Sequence, residues 1–196
     1  MKHALFLDVM DTLVWDPFKL EMLQFFDSSM EELLRDKSAD AWPRFERGEI
    51  SEEEFAAEFF ADRRSFDYLG LKDALHNAYR LLPGIPELLD DLKQAGVEMH
   101  TLSNYPVWHQ MIEEKLRLSR WLEWTFVSWQ HGTRKPEPKA FERALELVNK
   151  SPDTCVFVDD RGSNCAAAES LGIHAIHFES ADQLREALKP CFPELS

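Results

Sequence analysis

The chain has 196 residues, 44% of them apolar and 30% charged, a length and balance that suit one core with a small accessory unit and leave no tract polar enough to stay disordered. Its formal net charge of -14 is spread along the chain, which argues against nucleic acid as a partner and means that an anionic ligand must be met by a bound cation and a few local positive groups. No apolar run approaches the roughly 20 residues that span a bilayer, and the three cysteines lack CxxC spacing, so a cytoplasmic protein with free thiols and no membrane partner is expected.

Ala4 to Leu7 is a short apolar run closed by an acid, Asp8, the pattern of a buried parallel strand. Similar runs follow at Val97 to Leu102, Thr125 to Val127, Cys155 to Val158 and Ile173 to Ile176. Helix-period segments lie between them, at Pro86 to Gln94, Val107 to Leu118, Pro138 to Val148 and Asn164 to Ser170. This alternation predicts an α/β fold with a doubly wound, Rossmann-like parallel sheet.

Residues 16–82 break the alternation directly after the first strand, because they hold only helix-like patterns. Leu20, Leu23, Met30, Leu33 and Leu34 suggest one helical region; Leu71, Leu75, Ala78 and Tyr79 mark another. Ser51 to Glu54 fits a capping box, with Phe55, Phe59 and Phe60 as the apolar face of the helix it starts. The expectation is a small all-helical cap over 16–82 inserted into a core made of 1–15 and 83–196, hinged after Leu13 and at Pro83-Gly84.

In open parallel sheets, ligands bind beyond the carboxyl ends of the strands. The polar residues that close the apolar runs should therefore converge: Asp8, Ser103 with Asn104, and Asp159 with Asp160, joined by Lys135 from the loop after the third strand. Carboxylates suit a hard cation such as Mg²⁺, which keeps part of its sphere for water and phosphate. His109 and His131 are candidate proton donors near the predicted cleft, and Trp15 and Trp42 are candidates to stack on a ring-bearing ligand. His174 and His177 stand three apart on a strand and so face opposite sides, which argues against a zinc site.

Four segments resemble the motifs of the haloacid dehalogenase superfamily, in order and over nearly the whole chain: Asp8-Val9-Met10-Asp11-Thr12, Thr101-Leu102-Ser103-Asn104, Arg134-Lys135-Pro136, and Val156 to Asn164. The resemblance implies a Mg²⁺-dependent hydrolase acting on a small phosphorylated metabolite. Asp8 would be the nucleophile that forms an aspartyl-phosphate, Ser103 a hydrogen-bond donor and Lys135 the balancing charge, with Asn104 and Thr12 at the substrate. It implies Asp8, Asp160 and the backbone carbonyl of Met10 as metal ligands, with Asp159 a further ligand or an orienting group and Asn164 in support. Glu46-Arg47-Gly48-Glu49-Ile50-Ser51 resembles a sugar-phosphate phosphatase branch. Asp16-Pro17-Phe18, Asn104 to Trp108 and Trp124 to Phe126 resemble a plant plastid group of flavin mononucleotide phosphatases.

One position departs from the family's phosphatases. Met10 stands where they usually carry a second aspartate that protonates the leaving oxygen, a contribution of about 10²–10⁴-fold in rate. Asp11 is a poor substitute if the chain leaves the strand extended, since its side chain then points away from that of Met10. A donor from the cap or a substrate with a good leaving group would also resolve the gap. A carbon-halogen hydrolase and a catalytically weak binding protein are the competing readings, the first opposed by the Asp159-Asp160 pair.

Overall fold

The computed structural model describes residues 3–195. Five parallel strands form one sheet in the order β3-β2-β1-β4-β5: β1 (Ala4–Leu7), β2 (Glu98–Ser103), β3 (Glu123–Val127), β4 (Cys155–Asp159) and β5 (His174–His177). This is the doubly wound arrangement expected from the alternation of apolar runs, and the order reverses between β1 and β4. β1 is central and buried on both sides, so all four of its residues are apolar.

Successive side chains of β1 feed two different cores. Leu5 and Leu7 pack with Leu88, Leu89, Ile112, Leu184 and Leu188, from α6 (Ile85–Gln94), α7 (His109–Leu116) and α11 (Ala181–Leu188). Ala4 and Phe6 pack with Phe141, Ala144 and Ala168, from α9 (Pro138–Val148) and α10 (Gly162–Ser170). α6, α9 and α11 are amphipathic for this reason, with one apolar stripe against the sheet.

The segment after β1 carries five helices: α1 (Glu21–Phe26), α2 (Met30–Asp36), α3 (Ala41–Glu46), α4 (Glu52–Glu58) and α5 (Tyr68–Ala78). The chain enters and leaves this insert through a short antiparallel stem, in which Trp15 N donates to the Arg80 carbonyl and Leu82 N to that of Leu13, both at 2.9 Å. Ser51 and Glu54 form the expected capping box of α4. The single helical region expected around residues 20–34 is two helices, because Asp27 takes a left-handed conformation (φ 46°) and Ser29 and Glu32 begin α2 with a capping box of their own.

Phe45, Phe55 and Trp42 of the insert meet Trp108 and Tyr105 from the loop after β2, with ring centroids 5.2–6.1 Å apart. Arg47 pairs with Glu137 at 2.5 Å across the same seam. Gly48 (φ 68°) lies so close that a Cβ would stand 2.7 Å from the Trp129 carbonyl oxygen, which explains the glycine there on two counts. Among the described residues no helix is long and apolar enough to cross a membrane.

Candidate active site

The parallel register places the ends of β1, β2 and β4 side by side, and the residues that follow them meet there. Lys135 reaches in from the loop before α9, 2% exposed, with Nζ 2.7 Å from Asp8 Oδ1 and 2.5 Å from Asp159 Oδ2. Carboxylate oxygens of Asp8, Asp159 and Asp160 lie within 4.8 Å of one another. Three acids around one ammonium is an excess of negative charge in a buried place, and such a set calls for a cation.

Electrostatics agree with that deficit. Burial pushes the Asp8 carboxyl up to about 7, with Lys135 opposing and Asp159 and Asp160 adding to the rise. Asp160 is also pushed up, by burial first and by Asp159 second. Burial works against the Lys135 ammonium, yet the attractions of Asp8 and Asp159 outweigh it and hold the lysine above its usual range.

Asp159 is wholly buried and spends both oxygens on donors of the chain: Lys135 Nζ, the Arg161 amide at 2.8 Å, and Asn164 Nδ2 at 2.9 and 3.0 Å. Asn104 is also committed. Its Oδ1 accepts the Lys135 amide and its Nδ2 donates to the Lys135 carbonyl, each at 2.8 Å, so this side chain clamps the lysine loop even though it lines the cleft. Thr12, expected at the substrate, is fully enclosed and makes a long 3.5 Å hydrogen bond to Asp8 Oδ2. Ser103 Oγ is buried at the end of β2 with no hydrogen-bond partner among the described residues, an unspent donor of the kind that a ligand satisfies.

The turn after Asp8 corrects a second expectation. Asp11 is left-handed (φ 56°) rather than extended, so the alternation of side chains stops and Asp11 lines the same cleft as Met10. There its carboxylate pairs with Lys19 at 2.8 Å. His109 and His131 line neither this cleft nor the larger cavity beside it. His109 is buried against Trp124 and Trp129, and His131 stacks on Phe126. Of the two tryptophans, Trp42 lines the larger cavity, while the Trp15 ring is covered by the Arg80 guanidinium at 4.4 Å.

That larger cavity, of about 360 Å³, adjoins the cleft over Asp8, of about 40 Å³, and is walled by insert and core together. Phe18, Trp42, Phe59 and Tyr105 give it aromatic faces, and Lys37, Arg134 and Arg161 give it positive charge. Two acids here have no strand-end signal in the sequence. Glu46, 5% exposed, pairs with Arg134 at 2.7 Å and accepts the Trp42 indole N–H at 2.7 Å. Asp16 caps the turn Pro17–Lys19 by accepting Phe18 N at 3.0 Å. Both lie in segments that carry a resemblance, Glu46 in that of the sugar-phosphate phosphatase branch and Asp16 in that of the plant plastid group; apart from this, the local pattern at Asp16 is that of a helix cap before proline.

Burial pushes the Asp16 carboxyl from 3.8 up to about 6, opposed by the Phe18 amide, raised further by Asp11, and opposed again by Lys19 and Arg161. A carboxyl raised in this way favours folding while protonated: its contribution is complete below about pH 4 and is lost as the pH rises through about 6. Asp16→Asn keeps the capping oxygen and cannot ionise. It is expected to exceed the parent in stability by on the order of 2–3 kcal/mol at about pH 8 and to match it below about pH 4. Paired denaturant titrations across that range check this.

The family description of haloacid dehalogenase-like hydrolases matches residues 4–172. A chloroplastic flavin mononucleotide hydrolase of Arabidopsis thaliana is 42% identical over 184 residues, which are 94% of this chain and 75% of that protein. A HAD family enzyme of Bacteroides thetaiotaomicron has the same fold, with a TM-score of 0.74 at 18% identity over 95% of this chain and 98% of that one. Its wild-type complex with magnesium and inorganic phosphate gives a TM-score of 0.70 at 19% identity, over 91% and 95%. The motif resemblance is thus borne out, and the chain belongs to the haloacid dehalogenase-like hydrolase family.

Proposed function

We propose that this chain is a Mg²⁺-dependent phosphomonoester hydrolase whose nucleophile is the Asp8 carboxylate. The observation that carries the reading is Lys135, a buried ammonium shared between Asp8 and Asp159 beside a further acid, Asp160. The all-oxygen donor set fits Mg²⁺, with Asp8, Asp160 and the Met10 carbonyl holding the ion and Asp159 orienting Lys135. When bound, the ion supplies positive charge that draws in the phosphoryl oxygens.

An Asp8 oxygen attacks phosphorus and the bond to the leaving oxygen breaks, leaving an acyl phosphate on Asp8. Water then attacks that phosphorus and frees the carboxylate, so that one hard displacement becomes two easier ones. Lys135 fixes the nucleophile and balances charge, and the Ser103 hydroxyl donates to a phosphoryl oxygen. The insert, 16–82, acts as a cap that covers the substrate and excludes water.

The substrate proposed is a phosphomonoester with a ring-bearing leaving group, flavin mononucleotide first. Support comes from the aromatic and cationic walls of the larger cavity and from the activity named for the relative at 42% identity. A reducing compartment, the cytosol, suits three free cysteines, although the relative is a chloroplastic protein by its name.

Phosphate release from p-nitrophenyl phosphate, flavin mononucleotide and sugar phosphates, with Mg²⁺ and with chelator, tests the reading. Chelation is expected to abolish turnover and to lower the melting temperature, because a ligand at 100 times its Kd adds about 2.7 kcal/mol of stability. Phosphate release that survives chelation would defeat the Mg²⁺ requirement, and no release from any of these esters would defeat the proposal and favour carbon-halogen chemistry or a binding role.

A further inference from the structure

If the phosphoryl group lies over Asp8 and the rest of the substrate fills the larger cavity, the bridging oxygen sits where the two spaces join. Met10, Asp16, Glu46, Asn104 and Arg161 line both. Met10 has no proton to give, the Asn104 amide is spent on the Lys135 backbone, and an arginine stays charged. The choice lies between two carboxyl groups.

Glu46 has a cation of its own, Arg134 Nε lying 2.7 Å from Oε2 as an ion pair, and its Oε1 accepts the Trp42 indole N–H. Asp16 is engaged at one oxygen, since Oδ1 accepts the Phe18 amide. Lys19 is bound to Asp11 at 2.8 Å, so this cation does not claim Asp16. The groups that face Asp16 are Asp11, Lys19, Arg161 and the hydroxyls of Tyr79 and Tyr105. An acid so placed keeps a protonated fraction close to neutrality, as a general acid must.

We infer that Asp16, supplied by the first residues of the insert, is the proton donor to the leaving oxygen and replaces the acid that position 10 lacks. The inference rests on the phosphatase reading. As the bond from Asp8 to phosphorus forms and the bond from phosphorus to the leaving oxygen breaks, the Asp16 proton passes to that oxygen, giving a neutral alcohol and an Asp16 carboxylate. In the second step that carboxylate takes a proton from the attacking water, so inorganic phosphate departs and Asp16 is again protonated. Because the donor belongs to the insert, the site is complete only with the insert in place.

Leaving-group dependence tests this. Asparagine caps a helix as well as aspartate does, so Asp16→Asn keeps the local turn. With Mg²⁺ present, Asp16→Asn is expected to lower kcat/KM for flavin mononucleotide, a primary alkyl phosphate, by about 10²–10⁴-fold. The loss on p-nitrophenyl phosphate, whose leaving group departs without a proton, is expected to stay below about 10-fold. Adding Met10→Asp to Asp16→Asn should restore much of the alkyl activity. Equal losses on both substrates, no loss on either, or a wild type that cleaves the aryl ester and no alkyl phosphate would each overturn the role of Asp16 while the phosphatase stands. A wild type that releases no phosphate from p-nitrophenyl phosphate with Mg²⁺ overturns both.

Discussion

Asp8→Asn is expected to lower phosphate release by about 10⁴-fold or more and to leave the fold intact, a loss on the scale of removing other covalent nucleophiles. Asparagine has the shape of aspartate but its amide is not a competent attacking group. The substitution is tolerable structurally because Lys135 keeps Asp159 at 2.5 Å as a counter-ion, and because one of three crowded acids is removed. Pre-steady-state phosphate release together with a melting curve measures both halves. A variant that retains a tenth of wild-type turnover would mean that Asp8 positions rather than attacks.

Lys135→Met is expected to cost both activity and stability. The lysine is the buried partner of Asp8 and Asp159, neither of which has another lysine or arginine within ion-pair distance among the described residues. Breaking a buried pair from one side leaves uncompensated charge, and about 3–5 kcal/mol of stability should be lost near neutral pH. The sign of the pH dependence follows from the acids left behind. Without the ammonium their protonated forms are favoured in the folded state, so the loss should shrink as the pH falls and grow as it rises. Denaturant titrations at several pH values check this, and a loss that does not vary with pH would contradict it. Added Mg²⁺ should recover part of the stability, since it supplies charge to the same acids.

The strands and the order of chemistry along the chain were legible because a buried parallel strand needs a continuous apolar run and its end needs a polar residue. Ala4 to Leu7 followed by Asp8, and Cys155 to Val158 followed by Asp159, announce both facts at once. What stayed hidden depended on backbone turns and on distant partners. The left-handed conformation of Asp11 brings that acid into the cleft, and nothing in its neighbours foretells a positive φ. α3, with Pro43 in its first turns and few periodic positions, is too short to show a face. Asn104 reads as a ligand-facing residue at a strand end, but its two amide atoms find the Lys135 loop 31 residues away. Glu46 and Asp16 reach the site only because the insert folds back over it, a tertiary event that local pattern does not encode.

The measurement that bears most directly on the central claim is detection of the covalent intermediate. The Mg²⁺-loaded protein is mixed with p-nitrophenyl phosphate or flavin mononucleotide, quenched in acid within one turnover, digested, and read by mass spectrometry. A peptide carrying one added phosphoryl group on Asp8, absent from the Asp8→Asn variant and from samples with chelator, is the predicted result. Rapid phosphate release with no phosphorylated Asp8 under any quench time, or a phosphoryl group on another residue, would contradict the account.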